Sequence, residues 1–563
     1  MKTRLFLPML LIVVVFMLTP VLFPGKPRVP ATPAPSAQSA TPTSTERSPT
    51  PTSGNAPTAA GRPSSAAPPV IASVRADTAV ISTPRVRYRV SNVGGSLVGV
   101  EFPGYHRLSA DSSLVELART DETLLRFRMV SSRDTIALDQ TVLARESAAD
   151  PLAVTYRGTV RDMSVAVRWS FAPDTIRVNV GGEEQPVGYL SRVEVTAQNA
   201  PPGTYLLVDL PRGFHTTEAD SSTDFQHLAY AFKRVNGGAD LIRFGSLDPG
   251  ERDLRPGPLA WAVAKSKYFL IGVLATSDEN AFAELDAVGT PRTSKMVTSG
   301  HATVVMAMRD GSAAFDVYAG PQEWRRLRAV GHEFETSNPY GGWLQGIVQP
   351  FATIVMRILL WMKGVFGLNY GWILILFGVL IRVVLWPLNQ WAMRSTMKMQ
   401  RVQPEIMEVQ KKHAGNPEAL QKAIWKVYSD HGMSPFSPLA GCLPMLIPMP
   451  VLFALFFVFQ NTIEFRGVAF WWMTDISQKD PLFVIPVVMG LSMFATSWIG
   501  MRNLPPNPQA KMLMYIMPVM LTVLFFYMAA GLNLYYTAQN LATIPQQWLI
   551  ANERAKAATA KSG

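Results

Sequence analysis

Between Gly371 and Leu388 the chain reads GWILILFGVLIRVVLWPL, an apolar run with a single charge, Arg382. About 20 apolar residues cross a bilayer as a helix, so the run predicts a transmembrane segment. A guanidinium within such a span costs roughly 2.5–3.5 kcal/mol on insertion scales. It is tolerated where it meets water, a partner or a cavity. The later apolar runs hold no acidic residue to pair with it. Two readings stay open. In one, Arg382 lines a cationic, hydrated hollow within the membrane. In the other it snorkels from a helix end, with Trp386 and Pro387, about one turn on, marking the interface.

Around this run the 563 residues fall into two unlike halves. Up to about residue 340 the chain reads as a soluble domain on a tether, and from 343 apolar runs dominate. The net charge of +11 is modest for this length, so its distribution matters more than its sum. The one cysteine, Cys442, excludes an intrachain disulfide.

At the amino end a basic lead, Met1 to Arg4, precedes an apolar stretch, Leu5 to Phe23, with no small-x-small cleavage pattern after it. Residues 1–25 are therefore expected to form an uncleaved transmembrane anchor with its amino end in the cytosol. Residues 26–70 are rich in Pro, Ser, Thr and Ala. Such a stretch has too few apolar side chains to offset its ordering entropy, which predicts a linker.

From 71 to 320 the period changes to two. Residues 85–90, 125–129, 165–169, 175–180 and 192–195 alternate apolar with polar, whereas 268–274 and 304–308 are almost continuously apolar. This pattern predicts strands of a large all-β sandwich. His106, His215, His227 and His301 lack metal-ligand spacing, and no glycine-rich phosphate loop is present. No metal or cofactor is expected. Scattered His and Glu residues still leave open a membrane-anchored carbohydrate-modifying enzyme, against a domain serving contacts and spacing. Residues 321–342 are expected to be a connecting helix and linker.

The stretch 343–366 mixes apolar positions at three- and four-residue steps with Gln345, Gln349, Arg357 and Lys363. This predicts an amphipathic helix lying in the interface. Residues 369–552 then predict a five-span core, with spans at 371–388, 439–460, 481–499, 513–527 and 532–550. A polar helical hairpin at 389–431 interrupts it, with its tip at Gly415-Asn416-Pro417. Met393, Met397, Met399 and Met407 give that hairpin a soft face, either for substrates or for zipping its two arms together. With 343–366 not spanning, the hairpin, the 501–512 loop and the basic tail 553–563 fall on the cytosolic side. The more acidic 461–480 loop falls outside. The last span is unusually polar, with Asn533, Tyr535, Tyr536, Thr537, Gln539, Asn540, Thr543, Gln546 and Gln547. Such amides either join helices or line a wet groove.

Four stretches carry a family resemblance by their order and spacing: Ile381 to Leu388; Gln403-Pro404-Glu405-Ile406; Ser437 to Pro444 with Met449-Pro450; and Gly531 to Tyr536 with Asn540. Together the chain resembles the YidC-type membrane protein insertases, in the Gram-negative form with a large periplasmic domain. The resemblance implies an α-helical membrane bundle with an all-β supersandwich periplasmic domain similar to sugar mutarotases. It implies that Arg382 is the family's groove arginine and Tyr536 its substrate-contacting aromatic. Gly378, Gln460, Asn533, Gln539 and Asn540 complete the expected groove, and Met393, Met397, Met399, Pro404, Met407 and Pro417 the cytosolic hairpin. The implied partners are nascent membrane proteins and lipids, with the Sec translocon, the ribosome and the signal-recognition-particle receptor beside them. Nucleic acid enters only through ribosome contact. Pro448 departs from the family, where a Gln precedes the Met-Pro pair. No nucleotide motif is seen, and no internal repeat between halves, which speaks against a small-solute transporter.

Overall fold

The computed structural model describes residues 75–562, apart from 109–111, 119–121, 132–133, 148, 173–176, 181–182, 187, 293–295, 340–344, 388–389, 391–401, 403–404, 407, 410–411, 414–416, 433–448 and 503–507. The expected anchor and linker lie outside the described residues. So do Met393, Met397, Met399, Pro404, Met407, Cys442 and Pro448.

The first half is all β. Where the sequence alternates, burial alternates with it. Val80 and Ser82 of strand Thr78–Ser82 face out while Ala79 and Ile81 face in. Strand Leu190–Gln198 repeats the pattern over nine residues. The continuously apolar strand Phe269–Ala275 is buried along its whole length. A strand covered on both faces has no solvent side to mark with polar residues. It pairs with Arg252–Lys265 on one edge and Ser312–Pro321 on the other, within a 14-stranded antiparallel sheet. A four-stranded sheet, from Thr78–Ser82 to Leu114–Glu116, packs against it. Phe102 of the smaller sheet stacks on Phe269 of the larger, with ring centroids 5.3 Å apart.

The second half is helical. A six-residue helix, α1 (Ser221–Gln226), lies between strands of the β region, and α2 (Trp324–Val330) closes that region. The remaining helices follow, of which α5 is polar: α3 (Gln345–Phe366), α4 (Tyr370–Val384), α5 (Pro417–Asp430), α6 (Met449–Asn461), α7 (Val484–Met501), α8 (Pro508–Phe525) and α9 (Ala530–Ser562). Asn369 caps α4, its side chain accepting from Gly371 N at 2.9 Å. Buried Asp480, three residues ahead of the α7 N-cap Phe483, accepts from Leu482 N, Ile485 N and Trp472 Nε1. These helices hide one apolar stripe and expose another. Val379, Val383, Val384, Leu491, Trp498, Val519 and Val523 all face outward. Water gives an apolar outer surface of that extent no stabilisation, whereas lipid does.

Two boundaries differ from expectation. Helix α9 does not end near 552 but runs unbroken to Ser562, about 50 Å at 1.5 Å per residue. Helix α4 is 15 residues long, shorter than the expected 371–388 run. By length and composition, Val348–Phe366 and Val484–Met501 are long and apolar enough to cross a bilayer.

The loop between α6 and α7, residues 462–483, ties the parts together. Ala530 N donates to Gln478 O at 2.7 Å and Gly531 N to Ile476 O at 2.9 Å, fixing the turn between α8 and α9. Asn369 Nδ2 donates to Ala469 O at 3.0 Å, fixing the start of α4. The start of α4, the end of α6, the start of α7, the end of α8 and the start of α9 therefore gather at one end.

Glu464 in this loop turns inward, with Oε2 unpartnered among the described residues. Burial, with Glu323 adding to it, pushes its carboxyl up to about 7. An acid with a raised folded pKa holds its proton in the folded state after the unfolded chain has lost it. Stability therefore falls as pH rises from about 4.5 to about 7 and stays lower above that. Glu464→Gln removes the penalty, at most about 3 kcal/mol. The thermal midpoint in detergent is expected to rise in the variant at pH 8 and to match the parent at pH 4.5.

Candidate functional site

Helices α4 and α9 run side by side in the same direction. Their contact is closest at Gly378, where an added Cβ would lie 2.8 Å from Tyr535 O and 3.2 Å from Ala538 Cβ. One residue before it, Phe377 packs on the Tyr535 ring at 5.7 Å. One turn beyond it, the half-buried Arg382 crosses to α9, where Nη2 donates to Gln546 Oε1. Gln546 is fully buried. Among the described residues no carboxylate pairs with Arg382, and its Nε has no hydrogen-bond partner. The neutral amide orients the guanidinium without cancelling its charge.

The rest of α9 is polar on the faces that meet α4, α7 and α8. Asn533 is buried and donates from Nδ2 to Phe525 O at the end of α8, at 3.1 Å, while its Oδ1 is unpartnered among the described residues. Asn540 Nδ2 donates to Ser492 Oγ on α7 at 3.2 Å. Gln539 is buried, and its carbonyl accepts from Thr543 Oγ1 at 2.7 Å. Tyr536 is half-buried, its ring edge-on to Phe525 at 5.3 Å and to Tyr535 at 5.1 Å.

The structure thus gathers Arg382, Gly378, Tyr536, Asn533, Gln539 and Asn540 on the α4–α9 seam and its neighbours. Gln460 lies on α6. The hairpin is separate. Pro417 starts α5, and Val402, Ile406 and Tyr428 form a small buried cluster. Sequence reasoning reaches Gln546 only as one amide of the last span. Its pairing with Arg382, 164 positions away, and the Ser492 contact carry no local signal. Among the described residues no group of His, Cys, Asp and Glu has the arrangement of a metal site.

The family described as 60Kd inner membrane protein matches residues 361–557, and the YidC periplasmic domain matches residues 78–354. A membrane protein insertase YidC from Chlorobium phaeovibrioides is 30% identical over 430 residues, covering 73% of this chain and 70% of that one. Its counterpart from Anaeromyxobacter dehalogenans (strain 2CP-C) is 33% identical over 334 residues, 58% of each chain. The chain spans a little over half the length of the Anaeromyxobacter relatives it matches. A crystal structure of an active YidC insertase covers 84% of this chain and 93% of its own, at 16% identity and a TM-score of 0.33, a likeness too slight to argue from.

The α4–α9 seam yields a direct expectation. Gly378→Val places branched methyl groups against backbone already within contact distance, at a cost of about 1–3 kcal/mol. The thermal midpoint should drop, and a spin-label pair across α4 and α9 should report a wider separation. An unchanged separation would refute the close approach.

Proposed function

The chain belongs to the YidC family of membrane insertases, and on that premise we propose that it inserts nascent proteins into the bacterial inner membrane and helps them fold. The observation that carries the reading is Arg382, held by a buried amide and left uncancelled in an otherwise apolar helix. A polar flank of an incoming segment enters a groove along α4 and α9, and its acidic residues pair with Arg382. At an effective dielectric near 20 such a pair at 4 Å is worth about 4 kcal/mol. The apolar stretch behind it gains about 25 kcal/mol for each 1,000 Å² it moves into lipid. The hydrophobic term exceeds the ionic one, so the arginine holds the flank briefly without trapping it. No covalent step and no nucleotide is needed.

The orientation follows from contacts as well as from charge. The 462–483 loop touches the β domain through Arg466 and Glu218, so both lie on one side, proposed to be the periplasm. Helices α4, α6, α7, α8 and α9 alternate in direction from that end, which supports five spans and a hairpin on the cytosolic side. Trp372, Trp471 and Trp472 cluster there, all three exposed, at the level expected of an interfacial aromatic belt. Helix α3 keeps touching the outer side along its length. Gln345 Nε2 donates to Ala239 O at 3.5 Å, and Arg357 sits 5.8 Å over the Trp324 ring. Twelve residues apart, these contacts support a helix lying along the interface rather than crossing it, although its length would permit a crossing. The β domain is proposed as the supersandwich the family resemblance implies. The hairpin is proposed to capture substrates, with the ribosome, the signal-recognition-particle receptor and the Sec translocon as candidate partners.

A photo-crosslinking residue at Tyr536 is expected to capture stalled nascent membrane proteins. Capture of lipid alone would reject the groove. Arg382→Leu is expected to reduce insertion of a substrate with an acidic flank about tenfold, equivalent to about 1.4 kcal/mol, and to spare one with a neutral flank. Equal losses for both substrates would reject the charge role.

A further inference from the structure

The β domain and the helical bundle each hold an anchor belonging to the other. Ile463, from the loop after α6, is buried in the core of the β domain. Trp324, from the end of the β domain, is buried in the core of the bundle. Three residues after Ile463, Arg466 forms a buried ion pair. Arg466 Nε meets Glu218 Oε1 at 2.7 Å, with only 5% and 1% of the two side chains exposed. Arg466 Nη2 also donates to His106 O at 3.0 Å and to Thr217 O at 2.9 Å. Its guanidinium lies 5.7 Å from the Phe269 ring and 5.9 Å from the Tyr268 ring. Every other ion pair among the described residues has at least one side chain more exposed than either of these. A charge taken this far from water is costly unless geometry and added hydrogen bonds compensate it. For Arg466 the two carbonyls and the two rings do so, which fixes the direction of its side chain, whereas Glu218 Oε2 has no hydrogen-bond partner among the described residues.

What Arg466 holds is the loop that carries the outer ends of both site helices. Three residues on, Ala469 O accepts from Asn369 at the cap of α4. Phe470 packs against Gly371 so closely that an added Cβ would fall 2.2 Å from its ring. Further on, Ile476 and Gln478 accept from Gly531 and Ala530 at the start of α9. The β domain therefore connects through this loop, which Ile463 and Arg466 hold, to the helix that carries Arg382 and to the helix that carries Tyr536 and Gln546.

We propose that Arg466 is a positioning residue: clamped by Glu218, it makes the β domain the support that sets the outer ends of α4 and α9 and keeps the bundle shut on that side. The functional consequence rests on the insertase reading, but the clamp itself is tested without substrate.

The experiment is hydrogen exchange of the full chain in lipid nanodiscs. In Arg466→Met and in Glu218→Gln, exchange of the Ala530 and Gly531 amides is expected to rise about tenfold or more, while strand Met163–Phe171 keeps the parental rate. The double variant Arg466→Met/Glu218→Met leaves neither charge unpaired. It is expected to recover the parental thermal midpoint and still exchange fast at Ala530 and Gly531, because the directed contacts are gone. Parental exchange at those amides in the double variant would make the pair a stability feature only and overturn the proposal. Arg466→Lys keeps the charge with fewer directed bonds and, should the other variants not fold, decides the matter alone. Faster exchange at Ala530 and Gly531 supports the clamp, and a parental rate overturns it. Insertion measured on the same samples separates this outcome from the groove reading. Lost exchange protection with normal insertion leaves the clamp standing and removes its functional role.

Discussion

A guanidinium inside an apolar helix bundle is the constraint to which the helical half is built. Its cost is met by a neutral amide, Gln546, on a helix brought within reach by the missing side chain at Gly378. A carboxylate at 546 would have formed a closed ion pair and left no net charge. A larger residue at 378 would have pushed α9 beyond the reach of Arg382. The polar inventory of α9 follows the same logic. Asn533, Asn540 and Gln546 each bind a different neighbour, on α8, α7 and α4, so one helix is indexed against three by directed bonds. In lipid, apolar packing alone distinguishes poorly between helix rotations, and such bonds supply the discrimination.

The β domain supplies the other half of that indexing. A tether alone would leave its position relative to the bundle undetermined. Instead Ile463 and Trp324 are exchanged between the two cores, and Arg466 is fixed between them. The two halves thus share one junction, built on the loop that also holds the starts of α4 and α9.

The sequence carried some of this and not the rest, for physical reasons. Strands such as Thr78–Ser82 and Leu190–Gln198 were legible because one face meets water, and the two-residue period records it. The run 268–274 was legible as a strand by its continuous apolar character, and its cover on both faces came from the fold. The order of strands in the 14-stranded sheet was not, since any apolar face fits many partners. Arg382 stood out because a charge in an apolar run is conspicuous. Gln546 did not, because one amide among nine polar residues in its span has no mark of its own. The end of α9 was misplaced because a basic tail with alanines continues a helix as readily as it ends one.

Arg466 shows where charge counting stops. In sequence it is one basic residue in a short loop, and the orientation rule weighs it as it weighs Lys479. In the fold its charge is matched by Glu218, 248 positions earlier in the chain, so it presents no free charge to either side. The contact that cancels the charge also puts the loop and the β domain on one side without counting anything. A direct contact, made by a buried guanidinium outside the bundle, thus supports the proposed orientation beside the charge count.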